Sequence, residues 1–213
     1  MAKAKKAKQL SKTQVKQVKK LIDRAKVFGA IDTSDSSAII TTPVYTLLTN
    51  IGQCDAINQR DSDKVQLKSV KFGFHAVGGA STASRYATMI RYTIFQWHDD
   101  STPSGAVGAE TGPYAGAGSA NTTLSNWNIV GAKGKYSIVM DGRIRLADVD
   151  TGSGQMNVVE NKSFKTVKFR IPKYAFYNGA SSNKGQLYLA LYTDATSNVP
   201  TINWTTRVRF IEA

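Results

Sequence analysis

The spacing of hydrophobic and polar positions changes once along this chain. Val15, Val18, Ile22 and Ala25 recur three or four residues apart, the rhythm of one face of a helix. Ser11 stands before Lys12-Thr13-Gln14 as the N-cap. The apolar stripe is a narrow a/d seam, and a short lone helix of this kind is marginal in water. The predicted helix therefore needs a partner, either copies of itself or the surface of its own domain. Residues 29–37, Gly-Ala-Ile-Asp-Thr-Ser-Asp-Ser-Ser, read as a linker. Beyond it the period falls to two. Ala38 to Thr49 predicts a strand broken by Pro43, hence an edge strand. Lys64 to Val77 predicts a long strand whose apolar parity slips near Ser69, as a bulge would make it. Arg85 to Trp97 is apolar on both faces, as in a central strand. Lys135–Met140 and Arg143–Val149 predict a hairpin turning at Asp141-Gly142. Ser163–Ile171 is expected to stop at Pro172, with a short strand at Lys173–Tyr177, then strands at Gly185–Thr193 and Asn203–Ile211. Eight or nine strands without a later helix imply an antiparallel sandwich or barrel. The Gly/Ala/Ser/Thr-rich segment from His98 to Leu124 is longer than loops without a task usually are.

Charge changes the picture at the N-terminus. Residues 1–28 hold Lys3, Lys5, Lys6, Lys8, Lys12, Lys16, Lys19, Lys20, Arg24 and Lys26 against the single acid Asp23, a net of +9 out of the chain's +13. The remaining 185 residues carry 18 bases and 14 acids. The charge is thus an arm, suited to neutralising phosphates and releasing counterions without reading sequence. A solubilising tail and a nuclear import signal have the same composition. A helix lying on a membrane is disfavoured, because the apolar stripe has no Trp and meets Phe28 only at its end. Within the body, Arg143 and Arg145, Lys168 and Arg170, and Arg207 and Arg209 are paired at a spacing of two around Ile144, Phe169 and Val208. Each pair shares a face, which is either an ordinary solvated surface or a second polyanion-facing one.

The chain of 213 residues has one cysteine, Cys54, and no apolar run long enough to cross a membrane as a helix. It holds no P-loop, GxSxG, HExxH or CxxC motif and only two histidines, His75 and His98. His98-Asp99-Asp100 is a weak cation signal. With no nucleophile–base pair legible, the chain reads as no enzyme.

One segment carries a resemblance. Ile51-Gly52-Gln53-Cys54-Asp55-Ala56-Ile57-Asn58-Gln59-Arg60-Asp61-Ser62-Asp63-Lys64-Val65 resembles the Gln-Gly-Asp-x-Ile-Asn-Gln-Arg-x-Gly-Asp-x-Val stretch of satellite tobacco necrosis virus-like coat proteins. Tyr92 to Asp100, an aromatic strand ending in a charged turn, and Tyr177-Asn178-Gly179-Ala180 are similar as well. Strands of the first kind also occur in capsid proteins of circular single-stranded DNA (circovirus-like) viruses. Cys54 stands where the family has glycine.

The resemblance implies an all-β single jelly-roll, an eight-stranded antiparallel β-sandwich over residues 38–213, preceded by a basic arm and short amphipathic helix at 1–28. It implies a coat protein whose copies, 60 in a T=1 icosahedral capsid, close around a single-stranded RNA or DNA genome bound by the arm lysines and arginines. Val15, Val18, Ile22 and Ala25 would meet their equivalents in neighbouring copies. It further implies calcium between Asp23 and Glu212 at a subunit contact, a virion location after synthesis in the host cytoplasm, and no membrane partner. The alternative is a cellular jelly-roll binding module, lectin-like, with a nucleic-acid-binding or nuclear-targeting tail.

Overall fold

The computed structural model describes residues 11–15, 17, 28–53, 59–78, 88–103, 114, 134–146, 159–179, 181–196 and 199–212. Nine strands run in chain order: β1 (Phe28–Ala38), β2 (Val44–Leu47), β3 (Lys64–Val77), β4 (Thr88–Trp97), β5 (Tyr136–Leu146), β6 (Val159–Asn178), β7 (Ser181–Ser182), β8 (Gln186–Thr193) and β9 (Thr201–Glu212). They form two sheets, ordered β1-β9-β3-β6-β7 and β2-β8-β4-β5. All strand pairings are antiparallel. Setting the two-residue β7 aside, the other eight strands are shared four and four, and chain neighbours lie in opposite sheets except β4 and β5, which pair with each other. That is the wrapping of a jelly roll, and the fold is an all-β sandwich.

The core between the sheets follows from the period of two. Val65, Leu67, Val70, Phe72, Phe74 and Ala76 of β3 point inward and are buried, as are Ile202, Trp204, Val208 and Phe210 of β9. Tyr92 crosses from the second sheet to meet Phe72 and Phe74, at centroid distances of 5.1 and 5.5 Å. The parity slip expected near Ser69 is a register shift between Leu67 and Ser69 against both neighbouring strands. β2 is an edge strand and β4 a central one, as the sequence pattern implied.

Three expectations are corrected. Residues 29–37 are not a linker but lie within β1, which pairs along its whole length with β9. Polar as it is, this strand is held by the ladder and by Asp32, whose carboxylate takes two hydrogen bonds from the Arg207 guanidinium at 2.7 and 2.6 Å. Asp141-Gly142 is not a turn, because β5 passes straight through it. Gly142 sits directly opposite Tyr92, and a Cβ there would collide with the Tyr92 ring. The glycine makes room for an aromatic side chain rather than for a reversal.

Pro172 does not end its strand either. The pairing of β6 jumps from Lys168 opposite Ser69 to Lys173 opposite Leu67. Residues 169–172 therefore form a bow without partners on β3, and a proline without an N–H is tolerated where no ladder bond is due. Ile171, in this bow, is 78% exposed.

Candidate nucleic-acid and assembly surfaces

Ser11 caps a helical turn at residues 12–15. The Gln14 amide donates to Ser11 Oγ at 3.3 Å, and the Ser11 amide donates to Gln14 Oε1 at 2.9 Å. This reciprocal pair is a capping box with glutamine at N3. Lys12 and Val15 are both exposed, so Val15, at 39% exposure, is not spent on the chain's own core. Lys3, Lys5, Lys6, Lys8, Lys16, Lys19, Lys20, Arg24 and Lys26 lie outside the described residues, as do Val18, Ile22, Ala25 and Asp23. The arm joins the sandwich at Phe28, the first residue of β1.

The three basic pairs do flank inward-pointing residues. Ile144 and Val208 are buried, and Phe169 packs against the core. They do not share one surface, however. Lys168, Arg170, Arg207 and Arg209 stand on the outside of the five-stranded sheet, whereas Arg143 and Arg145 belong to the other sheet. Register places Lys168 and Arg209 on either side of Ser69, and Arg207 beside Lys71. Arg207 is paired with Asp32, and the Arg207 hydrogen bonds hold the Asp32 carboxyl below its usual range.

The outer face of the four-stranded sheet is different in kind. Phe95, Trp97, Tyr188, Ala190 and Tyr192 form a second buried cluster with Tyr114. Tyr114 comes from the long segment after β4 and packs edge-on against Tyr192 at 5.0 Å. Beneath it Arg91, 2% exposed, holds Asp141 through Nε and Nη2 at 3.0 and 3.1 Å. Burial is the largest single influence and opposes the Arg91 charge, but the hydrogen bonds to Asp141 together with the electrostatic attraction of Tyr192, Asp141 and Tyr114 outweigh it and raise the Arg91 pKa. This face is covered apolar surface, and the long segment supplies part of the cover. At its start, the Trp97 indole donates to the Ser101 carbonyl at 2.6 Å.

Within the motif that carried the resemblance, Arg60 is completely buried. Its Nε donates to the Ile51 carbonyl at 3.2 Å, and Nη1 donates to the Ser62 carbonyl at 2.9 Å and to Asp63 Oδ1 at 3.3 Å. Nη2 donates to the Gly179 carbonyl. The guanidinium lies 3.8 Å from the centre of the Tyr177 ring, whose hydroxyl donates to the Thr49 carbonyl at 2.9 Å. The two motifs noted in sequence, around Arg60 and around Tyr177, are thus the two halves of one clamp. Sequence alone gave no sign that this arginine is internal.

Glu212 Oε1 accepts the Asp61 amide at 2.6 Å. His98 meets Ser137 Oγ at 3.2 Å, and Asp99 pairs with Lys135 at 3.2 Å. Burial, aided by the nearby Lys173 charge, lowers the His98 pKa. Among the described residues no three His, Cys, Asp or Glu side chains are grouped to hold a metal ion. Of the two residues expected at the calcium contact, Glu212 is among the described residues and Asp23 is not.

No family model matches this chain, and no curated protein matches it. Among solved structures it is similar to infectious bursal disease virus, Gx strain, with 14% identity over 86% of this chain and a TM-score of 0.15. The Gt strain gives 12% identity over 87% of this chain and a TM-score of 0.14. T=1 particles derived from infectious bursal virus give 8% identity over 87% and a TM-score of 0.14. The chain spans about two fifths of those chains, 39, 40 and 40% respectively. These likenesses are too low to bear on function.

Proposed function

We propose that this chain is a viral coat protein that assembles with copies of itself into a small closed shell and packages nucleic acid through its basic arm. The observation that carries the reading is the union of two features. The body is a jelly-roll sandwich, and the net charge of +9 in residues 1–28 enters it at one point, the start of β1. A soluble binding module needs no such concentration of charge, whereas a shell subunit uses it to neutralise a confined polyanion. An exposed Val15 on a capped helical turn fits a seam completed by neighbouring copies. A T=1 shell of 60 copies, a satellite-virus or circovirus-like origin, and the absence of catalysis belong to the same proposal. So does residence in a virion.

The test is negative-stain microscopy with sedimentation of the purified full chain, across a range of salt, pH and added nucleic acid. Closed particles of one size are expected. Monomers under every condition would overturn the proposal in favour of a cellular jelly-roll binding module.

A further inference from the structure

Opposite Gln66 and Lys64, three and five residues before the bulge at Ser69, the outside of the five-stranded sheet carries a feature that the charge pattern did not reveal, two aromatic residues on alternate positions of β6, Tyr174 and Phe176. Lys64 lies over both, its Nζ 4.2 Å from the Tyr174 ring centre and 5.7 Å from that of Phe176. Lys184 Nζ lies 5.9 Å from the Phe176 ring centre. Beside them opens a cavity of about 420 Å³, lined by Gln96, His98, Lys173, Tyr174, Phe176 and Lys184 together with the exposed bow at Ile171 and Pro172. No acidic residue is among the described residues that line it. Lys173 Nζ is fixed there by Gln96 Oε1 at 3.0 Å and Ser137 Oγ at 2.9 Å.

Cations alternating with aromatic faces, next to an opening without carboxylates, suit a ligand that is both anionic and flat. We infer that this patch binds single-stranded nucleic acid, with a base stacked on Tyr174 or Phe176 and the adjoining phosphates at Lys64, Lys173 and Lys184. Stacking of this kind is tolerant of sequence because every base has a π-face. Register supports the choice of occupant. One row across the sheet runs Phe28, Ile211, Gln66, Tyr174. With strands about 4.8 Å apart, the point where the basic arm joins is about 14 Å from Tyr174. A strand held by the arm therefore reaches the patch within a few nucleotides. The inference rests on the proposed packaging function and adds to it a site in the folded body.

The experiment uses the full chain and a fluorescently labelled oligouridylate, followed by anisotropy over a series of salt concentrations. Tyr174→Leu/Phe176→Leu keeps apolar bulk and is expected to weaken binding about tenfold, within the range for losing base stacking, with the salt slope unchanged. Lys64→Gln/Lys184→Gln is expected to lower the salt slope by about 1.4, for two phosphate contacts to a single strand. A 4-thiouridine oligonucleotide irradiated with the unaltered protein should attach to the tryptic peptide Tyr174–Lys184, a readout that needs no variant to fold.

If the oligonucleotide binds but both variants match wild type and attachment falls only within residues 1–28, the patch is refuted and the packaging function stands. If the full chain binds no oligonucleotide at low salt, both fail. If heparin binds through the lysines, is indifferent to the aromatic pair, and no oligonucleotide attaches to this peptide, the surface belongs to a sulfated glycan and the inference is overturned.

Discussion

Replacing Arg60 tests whether the clamp governs stability. The side chain is completely buried, and its removal strands the carbonyls of Ile51, Ser62 and Gly179 that it now satisfies. A stranded buried acceptor costs about 1–3 kcal/mol. Loss of a desolvated cation over an aromatic ring, here Tyr177 at 3.8 Å, adds about 2 kcal/mol. The effects are not additive, because all involve one group, and water will reach the part-buried acceptors. The net for Arg60→Ala is therefore about 3–5 kcal/mol, in line with breaking a buried charged pair. For a domain of this size each kcal/mol lowers Tm by about 2–4 °C, so the expected fall is about 6–20 °C. Arg60→Lys keeps the charge but not the planar fork that reaches three separate carbonyls, and should recover less than half of that loss. The assay is differential scanning calorimetry at one protein concentration, with all variants in the same assembly state. An Arg60→Ala protein melting within about 3 °C of wild type would refute the argument, because the carbonyls would then be served by water or the loop would be open in the native state.

Other outcomes follow from single contacts. Gly142→Val should destabilise by about 1–3 kcal/mol through overpacking against Tyr92, and Tyr92→Ala in the same chain should relieve part of that loss in urea titrations. Asp32 has a folded pKa below its unfolded value, because Arg207 hydrogen-bonds the ionised form. Its contribution is therefore full above the ordinary carboxylate range of about 4 and is lost as pH falls through the folded value. Asp32→Asn should flatten the fall in urea midpoint between about pH 6 and pH 3, and a fall of the same steepness would deny the pair a role in holding β1. Deleting residues 1–10 removes Lys3, Lys5, Lys6 and Lys8 but spares the capped turn, so particles should form with a lower 260/280 nm absorbance ratio. Val15→Ser/Val18→Ser/Ile22→Ser keeps the charge and should instead slow sedimentation by weakening subunit contacts.

The strands legible in the sequence were those whose side chains alternate cleanly. β3, β8 and β9 bury one face or both, so apolar parity and burial coincide, and even the slip at Ser69 left its mark. The failures share a cause as well. β1 is rich in Ser, Thr and Asp and has no parity to read. It is a strand because β9 offers it a partner and Arg207 a counter-charge, both far away in sequence. Asp141-Gly142 and Pro172 carry strong local turn and breaker signals, and tertiary context overrode both. Tyr92 required the missing side chain, and the unpaired bow of β6 had no ladder bond to lose.

The candidate surfaces divide along the same line. A run of lysines announces itself, since charge density is a property of the sequence alone. Which face a lysine serves is a property of the sandwich. Arg143-Ile144-Arg145 and Arg207-Val208-Arg209 look alike in sequence, yet lie on different sheets. Arg60 looked like one more base in a polar loop and is the most enclosed cation among the described residues. In the sequence, Tyr174 and Phe176 fall in a fragment beyond a proline, where a short strand offers nothing to alternate against. Only when β6 is continuous do they come to the outer face opposite Gln66 and Lys64, in the row that begins where the arm joins. Charge read from the sequence and aromatic surface placed by register then meet on one sheet, which is the arrangement the proposed single-stranded nucleic acid would use: long-range attraction from the arm, and short-range base stacking on a rigid wall within its reach.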